Sequence, residues 1–352
     1  MPQIDQYLEI MVQKDGSDLH ICQGNPPLIR VHGELEPVTG IAPVDSFDEM
    51  VLEILEPHQK QKFLDTGDVD SAYSLGAKAR FRVNVFRQKN GIGACLRMIP
   101  VKIRSMQEMN LPAIVDRFVN FKRGLALVTG PTGSGKSTTL AAILDAINQT
   151  RRGHIITIEE PLEFIHPNKT CLITHREVGL HAKSFADAVK AALRENPDVI
   201  LIGEMRDIET MSMALAASET GILVFGTLHT NNASKTIDRL VDSFPEKEQD
   251  MVRGVLAENL QGVISQQLLR TVSGKGRVAA LEIMFGTQAI GNLIREGKTP
   301  QISSALQSSG ADGMVPLDKS LAELVLQGKI DLNEAKSKAI DQDYFQKLVN
   351  KN

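Results

Sequence analysis

The sequence predicts an α/β protein, with a small α+β module first, a doubly wound domain next and a helical end. Two observations carry this prediction. Apolar runs of core-strand length recur from residue 125 onwards, and such runs are typical of strands buried on both faces of a parallel sheet. They are residues 125–129, 155–158, 199–202 and 223–227. Helical patterns lie between them, as in residues 185–193, which follow Ser184 as a candidate cap.

The composition is that of an ordinary globular protein and excludes several classes. The 352 residues are 42% apolar and 23% charged, which favours about two domains. No apolar run approaches the roughly 18 residues of a membrane span, so an integral membrane protein is excluded. The formal charge of −4 gives no overall attraction to nucleic acid. Because the first residues lack the basic start and apolar middle of a signal peptide, we expect a cytoplasmic protein.

The first hundred residues predict the α+β module. Apolar residues at helical spacing indicate an opening helix over residues 4–11. Strands are expected at 18–21 and 28–31, because turn residues separate these two apolar stretches. A second helical pattern covers residues 48–55.

A basic hairpin ends this module. Polar and apolar residues alternate over 80–85, and residues 94–99 are the expected partner strand across a turn at 91–93. Residues 71–107 contain eight basic residues and no acidic one. This imbalance indicates that something anionic faces the segment.

The domain boundaries follow from changes in these patterns. We expect the module to occupy residues 1–99, a linker residues 100–112, the doubly wound core residues 113–285 and a helical region residues 286–352. In the last region, helices are predicted over residues 288–296, 301–308, 317–326 and 332–339.

A glycine-rich loop follows the first core strand and opens a helix expected over residues 136–148. Its residues are Gly130, Pro131, Thr132, Gly133, Ser134, Gly135, Lys136, Ser137 and Thr138. The first eight match GxxxxGK[ST], in which glycines let backbone N–H groups curve around phosphate oxygens at a helix N-terminus. We expect Lys136 to reach the β- and γ-phosphates and the Ser137 hydroxyl to occupy one place on magnesium.

Acidic residues and a histidine follow the other core strands. Glu204 follows the third apolar run, where a carboxylate beside a phosphate loop holds magnesium through water. Glu159, Glu160 and Glu163 lie at the end of the second run, and one of them is a candidate to deprotonate the attacking water. The residues alone do not select among these three. His229 follows the fourth run and lies at the same edge.

Seven segments together resemble the type IV pilus retraction ATPases, the PilT-like members of the secretion ATPase superfamily. They are residues 17–20, 130–138, 158–163, 202–207, 219–221, 226–230 and 276–280. The resemblance implies a homohexameric ring motor that hydrolyses ATP with Mg²⁺ and drives pilus retraction and twitching motility. It also implies a PAS-like N-terminal domain and a RecA-like ATPase domain that enclose the nucleotide.

The resemblance further implies partners and residue roles. The partner is an inner-membrane pilus platform protein, reached from the cytoplasm at the inner face of the inner membrane, with membrane association only through partners and no nucleic acid. In that family the last glutamate of the acidic box is the general base, here Glu163, and Glu204 is the Walker B residue. Arginines of the N-terminal domain contact the phosphates, here Arg82 and Arg97, with Arg80 as second choice.

Two related classes and several departures from the family pattern qualify the expected function, and Glu160 and Asn196 stand where the family more often has aspartate. Extension and type II secretion ATPases usually carry a four-cysteine zinc module, whereas this chain has three cysteines. Residues 289–296 resemble the AIRNLIRE helix of the retraction family, but Gly291 replaces its arginine and should loosen the helix by about 1 kcal/mol relative to alanine. Ile222 replaces a histidine, which removes a titrating group expected near the nucleotide edge. The alternative function is therefore an accessory or regulatory paralogue with little independent motor activity, which acts with another retraction ATPase. A DNA-processing ATPase is a weaker third option.

Overall fold

The structure, a computed structural model, forms two compact units. It describes residues 2–31, 33–41, 46–76, 78–99, 102–274, 276–308 and 310–350. The first unit comprises Met1–Lys102 and Pro161–Ile165, and the second Ile103–Glu160 and His166–Asn352.

The division between the units falls after Lys102, inside the segment expected to be a linker. Pro100 and Val101 of that segment lie outside the described residues. The predicted core included Pro161–Ile165, but these residues belong to the first unit. They follow a strand of the second unit and form neither helix nor strand.

The first unit contains a six-stranded antiparallel sheet. Its strands are β1 (Asp18–Cys22), β2 (Leu28–Val31), β3 (Glu34–Pro37), β4 (Asp68–Leu75), β5 (Ala79–Gln88) and β6 (Gly91–Ile99). Their order across the sheet is β3-β2-β1-β6-β5-β4. The helices are α1 (Asp5–Gln13), α2 (Phe47–Glu53) and α3 (Pro57–Thr66). Apolar residues of these helices pack with Leu19, Val83 and Leu96 of the sheet into one core.

The opening helix, the first two strands and the pairing of 80–85 with 94–99 are confirmed, but the predicted hairpin turn is wrong. Gln88 pairs with Gly91, so residues 91–93 lie inside β6. Gly93 serves packing there, because a Cβ atom would lie 2.6 Å from the ring of Phe86. β3, β4 and α3 were not predicted, and β4 in particular has too few apolar residues to show a clear period.

The second unit contains a seven-stranded sheet flanked by helices. Its strands are β7 (Gly124–Thr129), β8 (His154–Glu159), β9 (Leu172–Glu177), β10 (Val199–Ile202), β11 (Leu223–Leu228), β12 (Leu260–Arg270) and β13 (Arg277–Phe285). Their order is β13-β12-β7-β11-β10-β8-β9. All neighbours are parallel except β12 and β13. The carboxyl ends of the central strands therefore meet at one edge, where α/β sheets place ligands.

Helices cover this sheet and continue beyond it. They are α4 (Asp116–Asn120), α5 (Lys136–Thr150), α6 (Phe185–Ala192), α7 (Ile208–Glu219), α8 (Ala233–Asp242), α9 (Glu246–Asn259), α10 (Gln288–Arg295), α11 (Ile302–Ser308), α12 (Leu317–Leu326), α13 (Leu332–Lys338) and α14 (Gln342–Asn350). The four core strands, the Ser184 cap of α6 and the four helices predicted after residue 286 are confirmed. β9, β12, β13 and α14 were not predicted. Within the described ranges, none of these helices has the length and apolarity to cross a bilayer.

Ile222 lies at the amino end of β11, at the sheet edge opposite to the one where the nucleotide is expected. It immediately precedes β11, and its carbonyl accepts a hydrogen bond from the N–H of Gly124, at the start of β7. His229 follows the other end of β11, seven residues further along the chain, which is about 23 Å along an extended strand. The expectation that the Ile222 substitution alters the nucleotide edge is therefore wrong, and Ile222 packs against the hydrophobic core.

Gly291 has a packing role that its helix propensity does not indicate. It is buried in α10, and a Cβ atom there would lie 2.8 Å from the carbonyl oxygen of Ala257 in α9. The expected gain from alanine is therefore wrong, because any side chain at this position must move one helix away from the other.

We predict opposite effects for alanine at two helical glycines. Gly254→Ala in α9 should raise the free energy of unfolding by up to about 1 kcal/mol, since a Cβ atom there meets nothing within 4 Å. Gly291→Ala should leave it unchanged or lower it, because the clash with Ala257 offsets the helix propensity. Urea unfolding measures both variants. Equal stabilisation by the two alanines would contradict the close helix contact.

Candidate nucleotide-binding site

The glycine-rich loop lies between β7 and α5 against the neighbouring strand β12. Ser265 of β12 is opposite Thr129 of β7, so Gln266 reaches the point where the loop begins. Gly130 has φ 145°, and a Cβ atom there would lie 2.2 Å from the carbonyl oxygen of Gln266. Only glycine fits this position, because the Cβ atom of any other residue would collide with a main-chain oxygen that no side-chain rotation can move away.

Lys136 is folded onto the loop itself. It begins α5 and is 9% exposed. Its Nζ donates hydrogen bonds to the carbonyls of Gly130 at 2.9 Å and Pro131 at 3.2 Å. An ammonium group beside the free N–H groups of a helix N-terminus makes a strongly anion-binding position.

Gln266 holds the loop in place and was missed by the sequence reasoning. Its side chain is buried, accepts a hydrogen bond from the Thr139 hydroxyl at 2.7 Å and donates one to the carbonyl of Ser134 at 2.6 Å. One amide group thus ties the loop to the first turn of α5. No local pattern identifies this residue, because its role depends on the register of β12.

Glu204 and His229 lie together at the same edge, as expected. Glu204 follows β10, and one carboxylate oxygen lies 2.8 Å from Nε2 of His229, which follows β11. The other oxygen lies 2.6 Å from a guanidinium nitrogen of Arg206. Arg206 belongs to a segment used for the resemblance but was given no role. Burial raises the pKa of Glu204, but Arg206 and His229 together bring it below the usual 4.5, so the carboxylate is ionised at neutral pH.

The donors at this edge fit a magnesium ion bound mainly by water and phosphate. Both oxygens of Glu204 already face Arg206 and His229, so a metal contact through water suits this carboxylate better than direct ligation. Ser137 is half-buried in the first turn of α5, beside the loop. Magnesium usually keeps several waters and takes few protein ligands beside substrate phosphates.

Arg82 and Arg97 face each other in the first unit. They are directly opposite in the β5–β6 register. Nε of Arg97 donates a hydrogen bond to Oδ1 of Asp18 at 2.7 Å, while Nε of Arg82 lies 3.9 Å from Asp70. The second-choice residue Arg80 also lies on β5. Glu163 lies in Pro161–Ile165 of the first unit, whereas the loop, Glu204 and His229 belong to the second.

Asp18 is the buried anchor of this basic face. It is 5% exposed and accepts hydrogen bonds from the Ser17 hydroxyl and from Arg97. Burial raises the pKa of Asp18, but these two bonds bring it below the usual 3.8. Asp18 lies in residues 17–20, one of the segments that resemble the retraction family. That resemblance was the sequence signal for this residue, but it indicated no specific role.

We predict that Gln266→Ala weakens nucleotide binding about ten-fold, or about 1.4 kcal/mol, because two hydrogen bonds that shape the loop are lost. Gln267→Ala is the matched control, since the next residue along β12 alternates to the other face of the sheet. Titration with a fluorescent ADP analogue measures both variants. Similar affinities for the two would show that the loop keeps its shape without Gln266.

We predict that Asp18→Asn lowers the free energy of unfolding at pH 7 by about 1–2 kcal/mol. A carboxylate whose pKa is lowered by folding stabilises the protein above its unfolded pKa, and this contribution disappears as the pH falls through the folded value. The difference between wild type and variant should therefore shrink below pH 3.8. Asp70→Asn, which removes an exposed carboxylate, should change stability by less than about 0.5 kcal/mol. Urea unfolding at pH 7 and pH 3 makes the comparison, and a difference independent of pH would contradict the ionised anchor.

Comparisons with known proteins agree with this arrangement. The type II/IV secretion system protein family matches residues 54–345. The chain is 48% identical over 338 residues to the type IV pilus retraction ATPase PilT of Pseudomonas aeruginosa, covering 96% of this chain and 98% of the relative. It is 50% identical over 316 residues to a twitching motility protein of Neisseria gonorrhoeae, covering 89% and 84%. The type IV pilus ATPase PilU of Pseudomonas aeruginosa is 40% identical over 335 residues, covering 95% and 87%.

A solved structure extends the likeness to the fold. The pilus retraction motor PilT with bound ADP superposes with a TM-score of 0.88 at 42% identity, covering 98% of this chain and 99% of that one. The expected architecture, an N-terminal domain followed by a RecA-like ATPase domain, is thereby confirmed. The chain belongs to the type II/IV secretion system protein family, as a PilT-like member of the secretion ATPases.

Proposed function

We propose that this protein is a homohexameric ring ATPase that couples ATP hydrolysis to type IV pilus retraction and so to twitching motility. The observation that carries the proposal is the shaped phosphate loop with buried Lys136, at the same sheet edge as the ionised Glu204. The near-full-length identity to a pilus retraction ATPase supports the biological role. A ring of identical subunits requires head-to-tail contacts that close on themselves.

In this proposal the second unit binds the triphosphate. The N–H groups of the loop and the first turn of α5 would hold phosphate oxygens, with Lys136 moving from the loop carbonyls to the β- and γ-phosphates. Ser137 and, through water, Glu204 would hold Mg²⁺, which neutralises phosphate charge when it is bound. His229 keeps Glu204 oriented from the neighbouring strand.

The remaining catalytic groups belong to the first unit. Glu163 would act as the general base that takes a proton from the attacking water. Arg82 and Arg97 would approach the phosphates when the domains close, because guanidinium groups bind phosphate oxygens in pairs and keep their charge. We assign residues 1–99 and 113–285 as the two moving domains, joined by the linker 100–112, with residues 286–352 as a helical end. Pro161–Ile165, which contain Glu163, lie within 113–285 in sequence but belong to the first compact unit. Closure on ATP and reopening after hydrolysis would supply the rotation.

The proposed place of action is the cytoplasmic, inner face of the inner membrane. We propose that the ring acts on a pilus platform protein there and reaches the membrane only through such partners, without binding nucleic acid. A second candidate function is an accessory paralogue that works with another retraction ATPase. One observation favours it, the glycine that replaces the family's arginine at position 291.

We predict that Lys136→Ala abolishes ATP turnover by the purified protein, because the loop loses its only lysine and the charge that meets the phosphates. Glu163→Gln should retain ATP binding within about two-fold and lose at least about 100-fold in turnover, since a general base contributes that much. A coupled ATPase assay and nucleotide titration measure these effects. Normal turnover by Lys136→Ala would overturn the ATPase assignment, and loss of ATP binding by Glu163→Gln would assign that residue another role.

A deletion strain separates the two candidate functions. For a main motor, the strain should lose twitching and carry surplus pili, and wild-type protein but not Lys136→Ala should restore motility. Restoration by Lys136→Ala would favour the accessory paralogue. Unchanged motility and pilus number after deletion would overturn the main motor and point to a redundant accessory.

A further inference from the structure

One buried threonine holds the main chain on both sides of Glu204. Thr227 lies on β11 and is 3% exposed. Its hydroxyl donates a hydrogen bond to the carbonyl of Gly203 at 2.5 Å, and its own carbonyl accepts one from the N–H of Met205 at 3.1 Å. The pairing of β10 with β11 ends directly before Gly203, so these two bonds extend the contact of β11 past the end of β10.

The two neighbours of Glu204 have little freedom to move. The N–H of Gly203 donates a hydrogen bond to a main-chain carbonyl of β8 at 2.8 Å, and a Cβ atom at this position would lie 3.2 Å from the Cα atom of Glu159. Met205 is 2% exposed, and a Cβ atom at Gly226 would lie 3.0 Å from its sulfur. Neighbouring strands therefore determine where the backbone of Glu204 lies.

The side-chain partners of Glu204 are less well suited to this task. Arg206 and His229, which lie 2.6 Å and 2.8 Å from its carboxylate oxygens, have side chains that are 66% and 42% exposed. Exposed side chains contribute little to fixing a carboxylate in one place, because ordering them costs rotamer entropy. Thr227 is β-branched and lies in a buried strand, so its hydroxyl is already restricted in orientation.

We infer that Thr227 is a positioning residue for ATP hydrolysis, which acts through the main chain of Gly203 and Met205 to keep the Glu204 carboxylate where it holds magnesium through water. The inference rests on the proposed function in taking Glu204 as the residue that holds this metal. A displacement of about 1 Å at a catalytic site is enough to slow a reaction strongly. Residues 226–230 contributed to the family resemblance, but that resemblance gave Thr227 no role.

Two variants of Thr227 isolate its hydroxyl. Thr227→Val keeps the β-branched shape and removes the donor, whereas Thr227→Ser keeps the donor. In Thr227→Val, the Mg²⁺ concentration that gives half-maximal ATP turnover should rise about five-fold. The affinity for a fluorescent ADP analogue without Mg²⁺ should stay within about two-fold of the wild type. Thr227→Ser should need no more Mg²⁺ than the wild type, and a coupled ATPase assay over a Mg²⁺ series measures this.

Amide hydrogen exchange gives a second readout that needs neither nucleotide nor turnover. In the full-length protein without nucleotide, Thr227→Val should speed exchange at Met205 at least about three-fold, because the chain that carries this N–H loses its hold at Gly203. Thr227→Ser should exchange as the wild type does. Failure of serine to restore the wild-type exchange and the wild-type need for Mg²⁺ would overturn the inference.

Thr157→Val is the matched control. Thr157 is buried on β8, and its hydroxyl lies 2.8 Å from Nδ1 of His175 on β9, on the side of β8 away from β10. This variant also loses a buried hydroxyl from the sheet, but it should keep the wild-type need for Mg²⁺ and the wild-type exchange at Met205. Equal effects of Thr157→Val and Thr227→Val would show a general loosening of the sheet and overturn the inference.

Glu204→Gln separates the inference from the proposed function. This variant should lose turnover or need at least as much Mg²⁺ as Thr227→Val, because the metal loses a negative partner. If it does, and Thr227→Val leaves either the need for Mg²⁺ or the exchange at Met205 unchanged, the inference is wrong and the proposed function stands. If Glu204→Gln keeps wild-type turnover at the wild-type Mg²⁺ concentration, the proposed metal role of Glu204 is wrong, and the inference is wrong with it.

Discussion

The close approach of two main chains, at Gly130 and Gln266, is the constraint on which the nucleotide site depends. β12 runs parallel to β7, with Ser265 opposite Thr129, so the following residues meet where the loop begins. The absence of a side chain at position 130 lets the carbonyl of Gln266 lie against the loop, and the Gln266 amide then reaches Ser134 and Thr139. The loop is thus shaped by the fold before a ligand arrives, which reduces the ordering that binding requires.

The sequence predicted the structure well wherever the structure is determined by residues close together in the chain. The phosphate loop and α5 follow from a local pattern, and the core strands from apolar runs buried on both faces. Gln266 could not be found in this way, because it meets Ser134 only through the pairing of strands far apart in the chain. β4 and β9 were missed since their polar and half-buried residues show no strong period. Gly93 led to the wrong prediction of a turn, because this glycine is required by the packing of the Phe86 ring against β6 and not by a turn.

Two of the departures from the retraction family, Ile222 and Gly291, have different meanings once they are placed in the fold. Ile222 packs against the core at the sheet edge away from the loop, so the side chain that replaces the histidine is not beside the phosphate loop. Gly291 brings α10 against the backbone of α9, and the arginine of the family could not occupy that position without separating these helices. At this position the chain has a close helix contact in place of the family's charged residue, away from the phosphate loop.

The apposed arginines of the β5–β6 hairpin have an energetic consequence for the first unit. Like charges directly across a strand pair repel, and Asp18 compensates only one of the two guanidinium groups at hydrogen-bond distance. Both arginine side chains are exposed and Arg82 also lies 3.9 Å from Asp70, so solvent, salt and this carboxylate weaken the repulsion. A doubly charged anion over both side chains would offset what remains of this repulsion, so the pair is expected to bind ligands of higher charge more readily than singly charged ones.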